Sequence, residues 1–157
     1  MTGTSSGYSA IREPTTAIFF LTWVMGRDTE HPNLYCSYSD TITTAFFNGV
    51  MEVLTDDRTY NYRQIFPNAE IVKTDAKLET IDLQRKKHYP TLTCRSLYGT
   101  LNGACDAEKG IIVSDDLISG ILKSFLVFCI HCGTVISKTT RKNAIIIIIP
   151  NNWNNKS

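Results

Sequence analysis

From Asp40 to Leu54 the apolar residues Ile42, Ala45, Phe46, Gly49, Val50, Val53 and Leu54 fall at i, i+3, i+4, i+7, i+8, i+11 and i+12. That spacing gathers them on one face of an α-helix. Asp40 is the candidate N-cap, because a short side-chain oxygen there can accept from one of the unpaired amides of the first turn. The threonines and Gly49 are weak helix formers, so packing of the stripe must hold this helix rather than intrinsic preference. A glycine on the stripe implies close approach to a neighbour, expected to be a sheet. The rest of the chain has to supply that sheet.

Thr15 to Met25 reads Thr-Thr-Ala-Ile-Phe-Phe-Leu-Thr-Trp-Val-Met, β-branched and aromatic with no polar face. It is expected to be the central strand, covered on both sides. After the polar loop 26–33, Leu34 to Tyr38 returns as a short second strand. Arg58 to Phe66 is expected to be extended and to end at the Pro67-Asn68 turn. From Glu70 onward, Val72, Thr74, Ala76, Leu78 and Thr80 alternate with Lys73, Asp75, Lys77 and Glu79, as in a strand with one wet face; a helix over Ala76–Lys87 is the rival. A further strand covers Thr91 to Tyr98, and Asn102-Gly103 is a hairpin-type turn with 110–113 as its return.

Ser114 is then the candidate N-cap of a second helix, with Asp115 and Asp116 in its first turn and Gly133 as its terminator. Ile118, Ile121, Leu122, Phe125, Cys129 and Cys132 make one face of it, and Leu126, Val127, Phe128 and Ile130 make the rest nearly as apolar. Ala144 to Ile149 is a last strand, stopped by Pro150. Residues 1–14 read as a flexible arm, 15–150 as one α+β domain and 151–157 as an asparagine-rich disordered tail. The expected order is β-β-α-β-β-β-α-β, an antiparallel sheet of about five to six strands covered by two helices.

With 157 residues, 43% hydrophobic and 20% charged, the chain can bury a core without disulfide or metal. A net charge of +1 excludes a global field for nucleic acid or an acidic membrane. The one dense basic run, Arg85-Lys86-Lys87-His88, is expected to be a solvated turn, with phosphate contact through Arg85, Lys86 and Lys87 as its alternative. Five cysteines without an even framework suit reduced thiols, hence a cytoplasmic or nuclear location. Secretion competes, because residues 16–26 have the length and apolarity of a signal peptide. Leu117–Ile136 has transmembrane length, although Lys123 and His131 would be costly in hydrocarbon.

Cys129 and Cys132 form a C-x-x-C pair. At the C-terminal end of a helix the dipole raises a thiol pKa, which argues against a redox pair; a zinc knuckle would need two further ligands, from Cys94 and Cys105, eleven residues apart, or from His88 and His131 in their place, at no standard spacing. Buried, reduced core cysteines are the expectation. Tyr98-Gly99, Gly103-Ala104, Ile112-Val113 and Phe125-x-x-Phe128-Cys129-x-x-Cys132 resemble a region of translation initiation factors two-beta and five. That resemblance implies a zinc-knuckle nucleic-acid or translation module, although the second C-x-x-C of such a ribbon is absent after Gly133. His31-Pro32-Asn33 before Cys36 resembles the tripeptide of ubiquitin-conjugating enzymes at a different spacing. A cysteine-dependent hydrolase or transferase would use Cys36, His31 and Asp40. No P-loop, G-x-G-x-x-G, H-E-x-x-H or G-x-S-x-G motif is present.

The element order resembles longin and roadblock scaffolds in topology. With no catalytic set, metal or cofactor assigned, the expectation is an interaction or assembly domain, an adaptor or complex subunit. Its partner would be another protein or a second copy, met through Leu126, Val127, Phe128 and Ile130 of the second helix or through Ile147 of the edge strand.

Overall fold

The structure, a computed structural model, describes residues 4–96, 111–115, 134–137 and 146–150. Its elements are α1 (Thr4–Arg27), β1 (Asn33–Ser37), α2 (Asp40–Thr55), α3 (Tyr62–Ile65), β2 (Ile71–Asp75), β3 (Thr80–Leu83), β4 (Leu92–Ser96), β5 (Ile112–Asp115), β6 (Thr134–Ser137) and β7 (Ile146–Pro150). The class is α+β. The strands form one sheet in the order β2-β3-β4-β1-β5-β7-β6.

That sheet is mixed, which corrects the antiparallel expectation and the expected element order. β1 lies parallel to both β4 and β5, and the remaining pairs are antiparallel. Parallel neighbours need a long crossover, which α2 and the hairpin provide between β1 and β4. Taking successive extended segments as neighbours hides such a centre. β1 is buried at all five positions, as a strand covered on both faces must be.

Thr15 to Met25 is helix, not the central strand. Ala17, Leu21, Val24 and Met25 recur at i, i+4, i+7 and i+8 and are buried, whereas Phe19 and Trp23 on the opposite side are 46% and 42% exposed. Two exposed aromatics removed the polar face by which an amphipathic helix is recognised. Because its buried residues belong to the main core cluster, the stretch expected as a possible signal peptide contributes to the packing of this fold.

α2 forms where the periodicity placed it, one residue out at its start. Ser39 is the N-cap, its hydroxyl accepting from the Ile42 amide at 3.3 Å, and Asp40 is the first helical residue. The buried face is Thr43, Phe46, Phe47, Val50, Val53 and Leu54. Ala45 is exposed, so the stripe is rotated slightly from the expected one. Gly49 does mark a close approach, but to a helix: a Cβ there would come within 2.5 Å of Ile18 Cδ1 on α1. Phe46 stacks on Tyr35 of β1 with ring centroids 3.5 Å apart.

Arg58–Phe66 is not extended. It holds the short helix α3, whose Tyr62 hydroxyl donates to the Thr22 carbonyl of α1 at 2.9 Å; burial pushes that phenol well above its ordinary pKa. The long alternating segment is a hairpin, β2 turning at residues 76–79 into β3, and no helix forms over Ala76–Lys87. Asp75 makes the turn by accepting from the amides of Lys77 and Leu78 at 3.0 and 2.9 Å.

The alternation of β1, β3, β4 and β5 divides their side chains between two faces. Tyr35, Ile81, Leu83, Leu92, Cys94 and Val113 face α1 and α2 and join their apolar residues in one cluster. Leu34, Cys36 and Ile112 are equally buried but stand outside that cluster.

Further corrections come from the C-terminal part. Ser114 and Asp115 end strand β5, so Ser114 is not a helix N-cap. The return strand expected at 110–113 overlaps β5, which runs from Ile112 to Asp115 and pairs in parallel with β1 instead of closing a hairpin on β4. The isoleucine run forms β7, but with β5 on one side and β6 on the other it is an interior strand, not an edge. Ile147 stands opposite Val113 and Ser137. Thr134–Ile136, the last residues of the transmembrane candidate, are in strand β6. Among the described residues no helix is long and apolar enough to cross a membrane.

Candidate ligand crevice at the carboxyl ends of the parallel strands

β4, β1 and β5 run in the same direction and end together. Ser37, last in β1, is in register with Ser96 of β4 on one side and with Asp115 of β5 on the other. Only Tyr38 and Ser39 separate β1 from α2, so the start of that helix lies at the same margin of the sheet. The Ser37 hydroxyl is fully buried and makes no hydrogen bond among the described residues. Leaving such a group unpaired costs about 1–3 kcal/mol, a cost that a bound partner would remove. Asp82 Oδ1 and Thr93 Oγ1 share this condition. By strand alternation they belong to the opposite face, away from the row that Ser37 and Ser96 make.

Beside this row opens a cleft of about 420 Å³ lined by Asp40, Thr43, Lys77, Glu79, Cys94, Arg95 and Ser96. Its wall is fixed. The Arg95 guanidinium donates to the Leu78 carbonyl at 3.0 Å, the Thr44 hydroxyl donates to the Glu79 carboxylate, and the Cys94 amide donates to the Glu79 carbonyl at 2.9 Å. Glu79 has a φ of 49°, a left-handed conformation that these three links hold in place. Both charges of each sign meet here, Lys77 and Arg95 against Asp40 and Glu79.

At the opposite, amino end of β1 the loops 28–32 and 84–91 meet, and there the basic run has a defined place. Arg85 holds Glu30 by both Nε, at 3.0 Å, and Nη2, and so keeps that carboxyl below the usual carboxylate range. Lys87 donates from Nζ to the Thr29 carbonyl, to the Leu83 carbonyl at 3.1 Å and to Thr91 Oγ1 at 2.6 Å. Partial burial lowers its pKa, and its bonds make it a tie between loops instead of a solvated turn residue. Lys86 is exposed.

The remaining sequence candidates separate. His31 binds Asp28 Oδ2 through Nδ1 at 2.5 Å just before β1, while Cys36 lies five residues further along, about 16 Å at the rise of a strand. Cys36, His31 and Asp40 are thus not assembled as a nucleophile, base and orienter. Cys36 and Cys94 are buried thiols on opposite faces of adjacent strands, and burial raises Cys94 well above the ordinary thiol pKa, which leaves it unreactive. Cys105, Cys129 and Cys132, with Leu126, Val127, Phe128 and Ile130, lie outside the described residues. Among the described residues no three of His, Cys, Asp and Glu come together as a metal site.

Ser37, Ser96 and Asp115 were not candidates from sequence. The available signal was the run Ile111-Ile112-Val113-Ser114-Asp115, in which a continuous apolar stretch ends in an acid, as a buried parallel strand with a functional carboxyl end does. Comparison with known proteins finds no family model, no curated protein and no solved structure that matches this chain.

Proposed function

We propose that the protein is a ligand-binding α+β domain whose site is the crevice above the carboxyl ends of β1 and β5, and that it takes a phosphorylated small molecule together with a divalent cation. Strand order carries this proposal. The chain leaves β1 through α2 towards β4 on one side, and leaves β5 towards β6 and β7 on the other. Where successive connections diverge in this way, the loops part and open a crevice, the place at which open sheets with a parallel centre bind their ligands. Asp115 and the buried hydroxyl of Ser37 stand in register at that point. A magnesium-type cation needs only one or two protein carboxylates when phosphate oxygens complete its shell, which is the role given to Asp115. The N-terminus of α2, with Lys77 and Arg95 beyond it, favours the anionic part of such a ligand.

Thermal unfolding of the full chain with a panel of phosphorylated metabolites, nucleotides included, should show stabilisation that needs Mg²⁺ and disappears with chelator. At a ligand concentration of about a hundred times Kd the gain is roughly 2.7 kcal/mol. Asp115→Asn should abolish it. Stabilisation that survives both chelator and Asp115→Asn would refute the assignment.

A second reading, as the assembly or adaptor domain for which longin and roadblock scaffolds are the comparison, is favoured by one observation. Phe19 and Trp23 lie one turn apart on α1 and are exposed, with Arg27 over the Trp23 ring at 4.9 Å. If this face joins two copies, the mass in solution will be that of a dimer, and Trp23→Glu will return it to a monomer. A wild-type monomer at all concentrations would remove this reading.

A further inference from the structure

The cleft at the amino end of β1, about 440 Å³, lies away from the crevice and is walled by Glu30, Arg85, Lys86, Lys87, His88 and Tyr89 with the two residues after Glu30. We propose that it is an anion site for the phosphate group of a small phosphomonoester or of inorganic phosphate, held by Arg85, Lys86 and His88, and that Glu30 occupies the place of that phosphate in the unliganded protein.

The geometry of Arg85 supplies the main ground. Its Nε and Nη2 engage both oxygens of the Glu30 carboxylate, a two-pronged grip that guanidinium gives equally to phosphate. The pair is on the surface, the Arg85 side chain 65% and that of Glu30 46% exposed, so holding Glu30 there contributes little and a stronger anion can replace it. Lys86 makes no hydrogen bond or ion pair among the described residues. The His88 ring is set edge-on to Tyr89 at 4.7 Å, which restrains the direction of its nitrogens. Lys87 is excluded as a direct ligand because three protein oxygens already take its protons, but those same bonds hold the two loops at a fixed spacing and keep a positive charge behind the site. Of the other carboxylates at this end, Asp28 is engaged by His31, and the buried Asp82 stands near Lys87.

Calorimetric titration of the full chain with inorganic phosphate and with pyrophosphate, in the presence of chelator, tests this apart from the crevice, whose ligand requires a divalent cation. Saturable binding of either probe is expected. Lys86→Ala should weaken it roughly tenfold by removing a charge-assisted hydrogen bond. Glu30→Gln should tighten it severalfold, because the internal competitor for Arg85 is lost. That increase separates a displaced stand-in from a structural salt bridge, whose loss would loosen the loop and weaken binding. No saturable binding to the wild type or to Glu30→Gln, or affinities that fall in Glu30→Gln, would overturn the proposal, as would a Lys86→Ala variant that binds like the wild type. Preference for phosphate over pyrophosphate would support a single-phosphate site; a marked preference for pyrophosphate would overturn that assignment.

Discussion

Phe46→Ala should lower the unfolding free energy by about 3–5 kcal/mol, a large share of what a domain of this size possesses. Phe46 is almost wholly buried and lies flat on Tyr35, with 4° between the ring planes. Face-to-face rings are not the arrangement that aromatic quadrupoles prefer, so the cost comes from lost burial and the cavity left between α2 and β1 rather than from the stack itself. Phe46→Leu, which retains most of the volume, should therefore cost less than half as much. Urea denaturation of the variants measures both. A loss of less than about 0.5 kcal/mol in Phe46→Ala, the range of surface substitutions, would show that α2 does not pack on β1 in this way.

Asn33→Leu is expected to have the second largest effect, about 2–4 kcal/mol, although it replaces a polar residue in the interior by an apolar one of similar size. The reason lies in what Asn33 joins. Its Nδ2 donates to the carbonyls of His31 and Thr91 at 3.1 and 3.0 Å, and its Oδ1 accepts from the Ile111 amide at 3.2 Å. It therefore spans the entries to β1, β4 and β5, and the Ile111 amide, itself in a wholly buried residue, would be left without its acceptor. Removing one partner of a buried pair costs the full desolvation of the other. Asn33→Leu should unfold at a clearly lower urea concentration with an unchanged denaturant slope; equal or greater stability would mean that the apolar gain outweighs the three bonds.

How much of this was legible in the sequence varied with how strictly each segment obeyed one period. α2 was, because Phe46, Val50, Val53 and Leu54 repeat at a spacing that no strand shares. The strands at 34–37, 92–95 and 146–149 were legible as strands, being short, apolar and β-branched or flanked by turns. Their partners were not. A period of two says that a residue is inside, not whether the neighbouring strand is the next one in the chain, and β1 takes neither neighbour from adjacent sequence. α1 failed for a different reason: Phe19 and Trp23 are exposed aromatics on the face where a helix ordinarily carries charge. The candidate crevice was illegible because the row that defines it is made of registers. Ser37, Ser96 and Asp115 are unremarkable alone, and only a parallel pairing sets them in one row. The basic run was legible as a cluster, but which of its cations are spent on Glu30 and on loop carbonyls depended on the fold of residues 28–32.

The contacts of β1 also set the order in which the molecule can assemble. Asn33 meets Thr91 across 58 residues and Ile111 across 78, whereas β2 and β3 join through a turn of four residues. Closing long loops costs entropy before the pairing they permit returns any of it, so local hairpins and helix pairs form early and distant parallel pairings late. For this chain the hairpin and the α1–α2 pair are expected to form first, and the pairing of β4 and β5 on either side of β1 last. The row Ser96-Ser37-Asp115 does not exist before that step. If the proposed crevice binds a ligand, that binding is expected to be an all-or-none property of the completed sheet centre, lacking in a partly folded chain however helical.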